Sequence, residues 1–117
     1  MPTNTDHFLR LLKVELQDLV EDIQDLDEHL QHRLEDEEIS EYVFKENDAF
    51  FRRELDSLTK FRNLVDGIKH GDYKDTGAMT SDLLGKLERS TAESGDPEAV
   101  LGLVSRKFRK LEDYLHN

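Results

Sequence analysis

Residues 8–30 read FLRLLKVELQDLVEDIQDLDEHL, and this stretch decides the fold class. Its apolar side chains recur at alternating intervals of three and four residues, which is the a/d spacing of a heptad. They are Leu9, Leu12, Leu16, Leu19, Ile23, Leu26 and Leu30. Such spacing keeps an apolar stripe on one side of an α-helix. Phe8, Leu11, Val20 and Leu34 widen the stripe, and a wide stripe is typical of a helix in a bundle.

No glycine or proline occurs between Thr3 and Asp66. β-Strands need turn residues every several positions, so this absence favours helices. A single helix over this range would be roughly 96 Å long, which is too long for a small globular chain to bury. We therefore predict a reversal near residues 35–40, with Ser40 as the N-cap of a second helix. A second candidate break is Lys45–Asp48, where Asp48 would cap the later start.

The rest of the chain predicts three more helices. The second covers residues 39–70 and ends before Gly71, a left-handed residue beyond the helix. After a loop, the third covers 81–91, capped by Thr80 or Ser81, and the fourth covers 97–115, beginning at Asp96-Pro97. The first helix covers 6–35. The prediction is an all-α, four-helix antiparallel bundle within one domain, dominated by a long helical hairpin of two ~30-residue helices plus two shorter helices.

Composition argues against several classes of protein. The chain has 117 residues with 27 acidic and 16 basic side chains, a net charge of −11. This balance argues against general nucleic-acid binding, because phosphates are neutralised by lysine and arginine. No apolar run is long enough to cross a membrane and no signal peptide is recognisable, so we expect a cytoplasmic protein. The chain has no cysteine, which excludes disulfides and cysteine metal sites.

The sequence contains no motif for catalysis or cofactor binding. It lacks a phosphate-binding P-loop, a Gly-x-Ser-x-Gly elbow and the Glu-x-x-His pairs of di-iron bundles. His29 and His32 lie one turn apart, with Asp25 and Glu28 each one turn upstream of one of them. This pattern fits either a surface zinc site or ordinary polar side chains beside the stripe, and we favour the second. We expect no enzymatic activity, cofactor, metal or small-molecule substrate.

The predicted helix lengths leave part of the hairpin without a partner. The shorter helix pair is tethered at the Gly71 end, so it covers only part of the long pair. The apolar residues left at the far end are Leu26, Leu30, Leu34, Ile39, Tyr42, Val43 and Phe44. A contiguous apolar patch marks an interaction surface, so we expect a homodimer in which the hairpin ends cover each other. The alternatives are that this end is less apolar than supposed or that the third helix folds higher.

Two polar residues, Asn47 and Glu54, occupy positions in phase with the apolar stripe of the second helix. A buried asparagine fixes register and oligomeric state at a cost in stability. In the alternative interpretation the stripe drifts there and both side chains reach solvent.

These observations predict a non-enzymatic protein-interaction module. It would be a small acidic helical adaptor, regulator or chaperone-like protein that acts through a homodimer or through partner helices. One alternative is an acidic mimic of nucleic acid that inhibits a basic protein. Its carboxylates would be Asp18, Glu21, Asp22, Asp25 and Glu28. A less favoured alternative is a bundle that binds a metal or a small ligand.

Overall fold

A computed structural model of the chain describes residues 4–116, and within them it has four α-helices and no strand. The helices are α1 (Asn4–Glu35), α2 (Glu41–Asp66), α3 (Thr76–Ser94) and α4 (Glu98–His116). α1 and α2 have 32 and 26 residues, and α3 and α4 have 19 each. The predicted all-α bundle, with a long hairpin and a shorter helix pair, is confirmed.

The hairpin reverses over residues 36–40, where the sequence predicts it, and α2 runs without a break through Lys45–Asp48. Ser40 is the N-cap of α2, because its hydroxyl accepts a hydrogen bond from the Val43 N–H at 3.2 Å. This bond satisfies one of the free N–H groups of the first helical turn. The reversal and its cap are therefore those expected from the sequence.

The end of α1 uses a glutamate where helices most often place glycine. Glu37 has a φ of 59°, in the left-handed region. The Glu38 N–H donates to the Arg33 carbonyl at 2.9 Å, and the Glu37 N–H donates to the Leu34 carbonyl at 3.1 Å. These bonds close the helix end, while the left-handed conformation of a residue with a Cβ costs about 1 kcal/mol. No glycine marks the reversal in the sequence, because Glu37 takes the left-handed position that glycine usually occupies.

The predicted end of α2 at residue 70 is wrong, because the helix ends at Asp66. Gly67 follows directly, and glycine has a low helix propensity. The Lys69 N–H donates to the Asp72 carboxylate at 2.7 Å, a local bond that competes with continued helix. Gly71 has a φ of 89°, but it lies within the connector to α3.

The predicted bounds of the third helix, 81–91, are also wrong, because α3 begins at Thr76 and ends at Ser94. Asp75 is its N-cap and accepts from the Ala78 N–H at 2.7 Å. Met79 is fully buried and extends the apolar stripe one turn ahead of the predicted start. α4 begins at Glu98, within a residue of its predicted start at 97.

The core lies where all four helices meet, at the end of the hairpin opposite the reversal. The Phe8 ring stacks on Phe108 with 5.6 Å between centroids, and Phe61 meets Phe108 edge-on at 6.2 Å. The buried apolar residues of this cluster are Phe8, Leu9, Leu12, Leu16, Leu19, Val20 and Ile23 from α1, Leu58, Phe61 and Val65 from α2, Met79, Leu83 and Leu87 from α3, and Val100, Val104, Phe108 and Leu111 from α4. Beyond Ile23 no residue of α1 belongs to this cluster.

Ion pairs set the position of α4 along α1. The Lys110 and Lys107 ammonium groups contact the two carboxylate oxygens of Glu15 at 2.7 and 2.9 Å. The hydrogen bonds from Lys110 and then Lys107 lower the pKa of Glu15 below its ordinary value. Two basic residues of α4 thus pack beside the acidic first helix.

A charge placed in this core tests the assignment of the buried stripe. Leu19 is 6% exposed and Val14, on the same helix, is 56% exposed. We expect Leu19→Asp to lower the free energy of unfolding by about 3–5 kcal/mol, because it leaves a buried charge without a partner. Val14→Asp should change it by less than about 0.5 kcal/mol. Urea titration followed by circular dichroism measures both, and equal stability of the two variants would contradict the core assignment.

The left-handed residue at the reversal offers a stabilising substitution. Glu37→Gly relieves the Cβ strain, so we expect it to raise the free energy of unfolding by about 1 kcal/mol. Glu35→Gly removes the same charge from the last residue of α1 and should lower stability, because glycine disfavours helix. Denaturant midpoints compare the two, and a loss of stability in Glu37→Gly would refute the strain at this turn.

Candidate interaction surface

The part of the hairpin nearest the reversal projects beyond the other two helices. We call residues 24–51 the hairpin end; Phe51, at its base, packs against the core. Leu30 is its one buried residue, at 8% exposure. Within the described residues, hydrogen bonds and ion pairs join the hairpin to α3, α4 and the turn between them. The one nearest the reversal is the hydrogen bond that Arg53 donates to the Gly95 carbonyl at 3.0 Å. The hairpin end is therefore a two-helix projection roughly 16–18 Å long.

The residues predicted to form an interface all lie in this projection but differ in exposure. Leu26 is 52% exposed, Tyr42 69% and Val43 39%. Leu34, Ile39 and Phe44 are half-buried, and Leu30 packs inside the hairpin. Phe50, which the sequence pattern places at the flank of the stripe and outside the predicted interface, is 44% exposed. We call Leu26, Tyr42, Val43 and Phe50 the uncovered surface.

Three residues of the uncovered surface, Leu26, Val43 and Phe50, continue two stripes that are buried lower in the bundle. On α1, Leu12, Leu19 and Leu26 are spaced by seven residues, and Leu19 lines a surface depression together with Leu103 of α4. On α2, Val43, Phe50 and Ser57 have the same spacing, and Ser57 lines a cavity with Leu87 of α3. Residues seven apart share one side of a helix. Leu26, Val43 and Phe50 are exposed because α3 and α4 do not extend this far.

An aspartate pair interrupts the contact between α1 and α2 within the hairpin end. Asp27 of α1 and Asp48 of α2 lie at positions in phase with the buried Leu30 and the half-buried Phe51, and their carboxyl groups face each other. One oxygen of each, Oδ1, is buried and accepts no hydrogen bond. Arg52 pairs with the Oδ2 of Asp48 at 2.9 Å. Neither buried oxygen therefore has a hydrogen-bond donor, and a carboxylate oxygen without a proton can only accept.

Burial raises the pKa of Asp27 above its ordinary value, and the hydrogen bond and negative charge of Asp48 raise it further. Arg52 and a hydrogen bond with Gln31 act in the opposite direction. The protonated form of Asp27 can donate to Asp48, whereas the ionised form repels it. Ionisation of Asp27 is therefore less favourable in the folded chain than in the unfolded chain.

The two polar residues predicted to set the register have different environments. Asn47 is exposed, and its side-chain amide donates to the Val43 carbonyl of its own helix at 2.8 Å, so it is not a buried register residue. The stripe drifts by one residue here, which places Asp48 in the helix–helix contact instead. Glu54 is 5% exposed, and burial raises the pKa of its carboxyl.

Acidic residues dominate the surroundings of the uncovered surface. The hairpin end holds ten aspartates and glutamates against Arg33 and Lys45 as its basic residues. Arg33 is paired with Glu38 at 3.3 Å. The rest of the chain carries 17 acidic and 14 basic residues, so most of the net charge of −11 lies in this projection.

Histidines of the hairpin end lie at the surface. His29 and His32 are both exposed, and the His32 ring nitrogen lies 3.7 Å from Glu35. Across residues 4–116 no three His, Asp or Glu side chains come together in a group that could hold a metal ion. None of the four described helices has an apolar window long enough to cross a membrane.

A cavity of about 200 Å³ lies between α2 and α3, near the α3–α4 turn. Its two lysines are already paired with carboxylates: Lys60 with Asp96 at 3.1 Å and Lys86 with Asp82 at 3.1 Å. The first pair joins α2 to the α3–α4 turn, and the second lies within α3. The hairpin end, by contrast, has an apolar surface that nothing in the described part of the chain covers.

No family model matches the sequence, no curated protein is significantly similar to it, and no solved structure matches its fold.

The aspartate pair predicts a pH dependence of stability with a definite sign. The pKa of Asp27 is higher in the folded chain than its ordinary value. The protonated carboxyl therefore stabilises the fold at pH values below the ordinary aspartate pKa, and this stabilisation is lost as the pH rises through the raised pKa. Asp27→Asn supplies a permanent donor toward Asp48. We expect it to stabilise the fold by about 1 kcal/mol at pH 7 and to lose most of this advantage in acid.

Asp25→Asn is the matched control, because Asp25 is exposed on the same helix and should show little effect. Urea unfolding of the two variants and the unmodified chain, at neutral and acidic pH, gives the comparison. A destabilised Asp27→Asn variant at pH 7 would show that the ionised carboxylate stabilises the hairpin.

Proposed function

We propose that this chain is a non-enzymatic protein-interaction module, a small acidic helical adaptor, regulator or chaperone-like protein, whose contact surface is the hairpin end. The observation that carries the proposal is the exposure of Leu26, Val43 and Phe50 on stripes that are core-facing lower in the bundle. Large apolar side chains grouped in one region of a small domain are typical of a binding surface. Scattered single residues such as Val14 need no such explanation.

The geometry supports a helix as the occupant. In the four-helix part, the buried Leu19 lies beside Leu103 of α4, and the buried Ser57 lies beside Leu87 of α3. A partner helix laid along the hairpin end would continue that arrangement and remove Leu26, Val43 and Phe50 from water. An amphipathic helix in an apolar groove is a common recognition mode in proteins. The helix would come from a second copy, as expected from the sequence, or from another protein.

A second candidate function uses the acidic side of α1. All five of the carboxylates identified from the sequence are exposed, and they are Asp18, Glu21, Asp22, Asp25 and Glu28. An ordered row of negative charge is suited to a basic site that normally holds nucleic acid. Binding through this row would tolerate changes at Phe50 and would weaken steeply with added salt.

A photocrosslinking experiment tests whether the hairpin end contacts another polypeptide. p-Benzoylphenylalanine replaces Leu26 in the full chain, and in a control it replaces Val14, because the two side chains are 52% and 56% exposed. After irradiation of cells that naturally make the protein, we expect a discrete covalent adduct from position 26 and none from position 14.

The mass of the adduct identifies the class of partner. A second copy adds 13.7 kDa, and a different increment indicates another protein. Absence of an adduct at position 26, or the same adduct at both positions, would rule out the hairpin end as the contact surface.

A further inference from the structure

The charge of the hairpin end distinguishes between its possible occupants. Exposed carboxylates lie one helical turn from the uncovered surface on both helices. Asp22 of α1 comes four residues before Leu26, and Glu46 of α2 comes three residues after Val43. The acidic run Glu35–Glu38 closes the tip. Of the two basic residues, Arg33 is engaged with Glu38 at 3.3 Å. An occupant of the apolar stripes therefore meets a rim of negative charge.

A second copy of the chain fits this rim poorly. In a symmetric dimer the same patch meets itself, so each acidic hairpin end would face another. At physiological salt the screening length is about 8 Å, and charges that rim one shared interface lie within that range. Like charges placed together across an interface cost several kcal/mol. The apolar surface favours association, but the charge disfavours this particular partner.

We infer that the hairpin end binds an amphipathic helix of another protein, with leucine- or phenylalanine-like side chains on one face and lysine or arginine on its flanks. The inference rests on the proposed function and adds the chemistry of the partner. The apolar face would cover Leu26, Val43 and Phe50, and the basic flanks would meet carboxylates such as Asp22 and Glu46. The projection of roughly 16–18 Å has room for a helix of about 11–12 residues.

The aspartate pair inside the projection is consistent with this partner. Asp27 and Asp48 leave two buried oxygens without donors between α1 and α2, so the hairpin end is held together less firmly than a purely apolar contact would hold it. A region of low local stability is where proteins commonly place binding surfaces that adjust to a partner. A positively charged occupant also lowers the electrostatic cost of the ionised pair.

Two synthetic peptides probe the charge of the occupant. Both are about 18 residues long, with leucine at the a and d positions of each heptad; one carries lysine at the remaining positions and the other glutamate. Fluorescence anisotropy with the full chain measures their affinities at about 0.15 M and about 0.5 M salt. We expect the lysine peptide to bind at least about tenfold more tightly than the glutamate peptide, and to weaken at the higher salt.

Two pairs of substitutions separate the hairpin end from the rest of the acidic surface. Leu26→Gln with Phe50→Gln removes side chains that are 52% and 44% exposed, and Val14→Gln with Leu64→Gln removes side chains that are 56% and 38% exposed elsewhere. We expect the first pair to weaken binding of the lysine peptide at least about tenfold and the second pair less than about twofold.

The rim is tested in the same way. Asp22→Asn with Glu46→Gln neutralises two exposed carboxylates beside the uncovered surface, and Glu88→Gln with Glu93→Gln neutralises two exposed carboxylates of α3. The first pair should reduce both the affinity and its salt dependence, whereas the second pair should change the affinity little. Circular dichroism verifies that each variant keeps its helices.

Several results would overturn the inference. Equal binding of the two peptides would show that the basic flanks are not recognised. Equal losses of affinity in Leu26→Gln with Phe50→Gln and in Val14→Gln with Leu64→Gln would show that the apolar stripes are not recognised. A homodimer detected by light scattering, and dissolved by Leu26→Gln with Phe50→Gln, would identify a second copy as the occupant. In that case the hairpin end remains an interaction surface, and only the basic partner is excluded.

Discussion

The length difference between the two helix pairs is the constraint on which the structure depends. α1 and α2 have 32 and 26 residues, whereas α3 and α4 have 19 each. α4 packs on α1 through the stacked Phe8 and Phe108 rings and through two lysines that contact Glu15, and Arg53 bonds to the α3–α4 turn. The shorter pair therefore ends where the core ends, near Ile23. The apolar stripes of the long helices do not end there, and their continuation has no neighbour within the described part of the chain.

The heptad of α1 makes much of this predictable from the sequence. Leu26 has the same spacing as Leu12 and Leu19, so the sequence indicates an apolar stripe longer than any helix available to cover it. The predicted reversal and the Ser40 cap are also present, because the acidic run and the cap are local signals. The left-handed turn residue is not identifiable from the sequence, since Glu37 takes a conformation that a glutamate rarely adopts.

Other features depend on tertiary contacts that periodicity does not show. Asn47 and Asp48 are neighbours in sequence, and a drift of one residue in the stripe decides which of them faces α1. The partner of Asp48 is Asp27, which the heptad pattern places beside Leu26 rather than in the helix contact. The importance of Phe50 does not show in the pattern, because its exposure depends on how far α3 and α4 extend. The start of α3 differs from its predicted position because Asp75, and neither Thr80 nor Ser81, is the N-cap.

Hydrogen–deuterium exchange of the free chain tests most directly whether the hairpin end is an incompletely covered projection. We expect the backbone amides of residues 24–34 and 43–51 to exchange at least about tenfold faster than those of residues 9–20 and 104–111. The reason is that few buried contacts must break for the hairpin end to open locally. Equal protection along the whole of α1 and α2 would mean that the hairpin end is as well packed as the four-helix part, and the account of an uncovered contact surface would be contradicted.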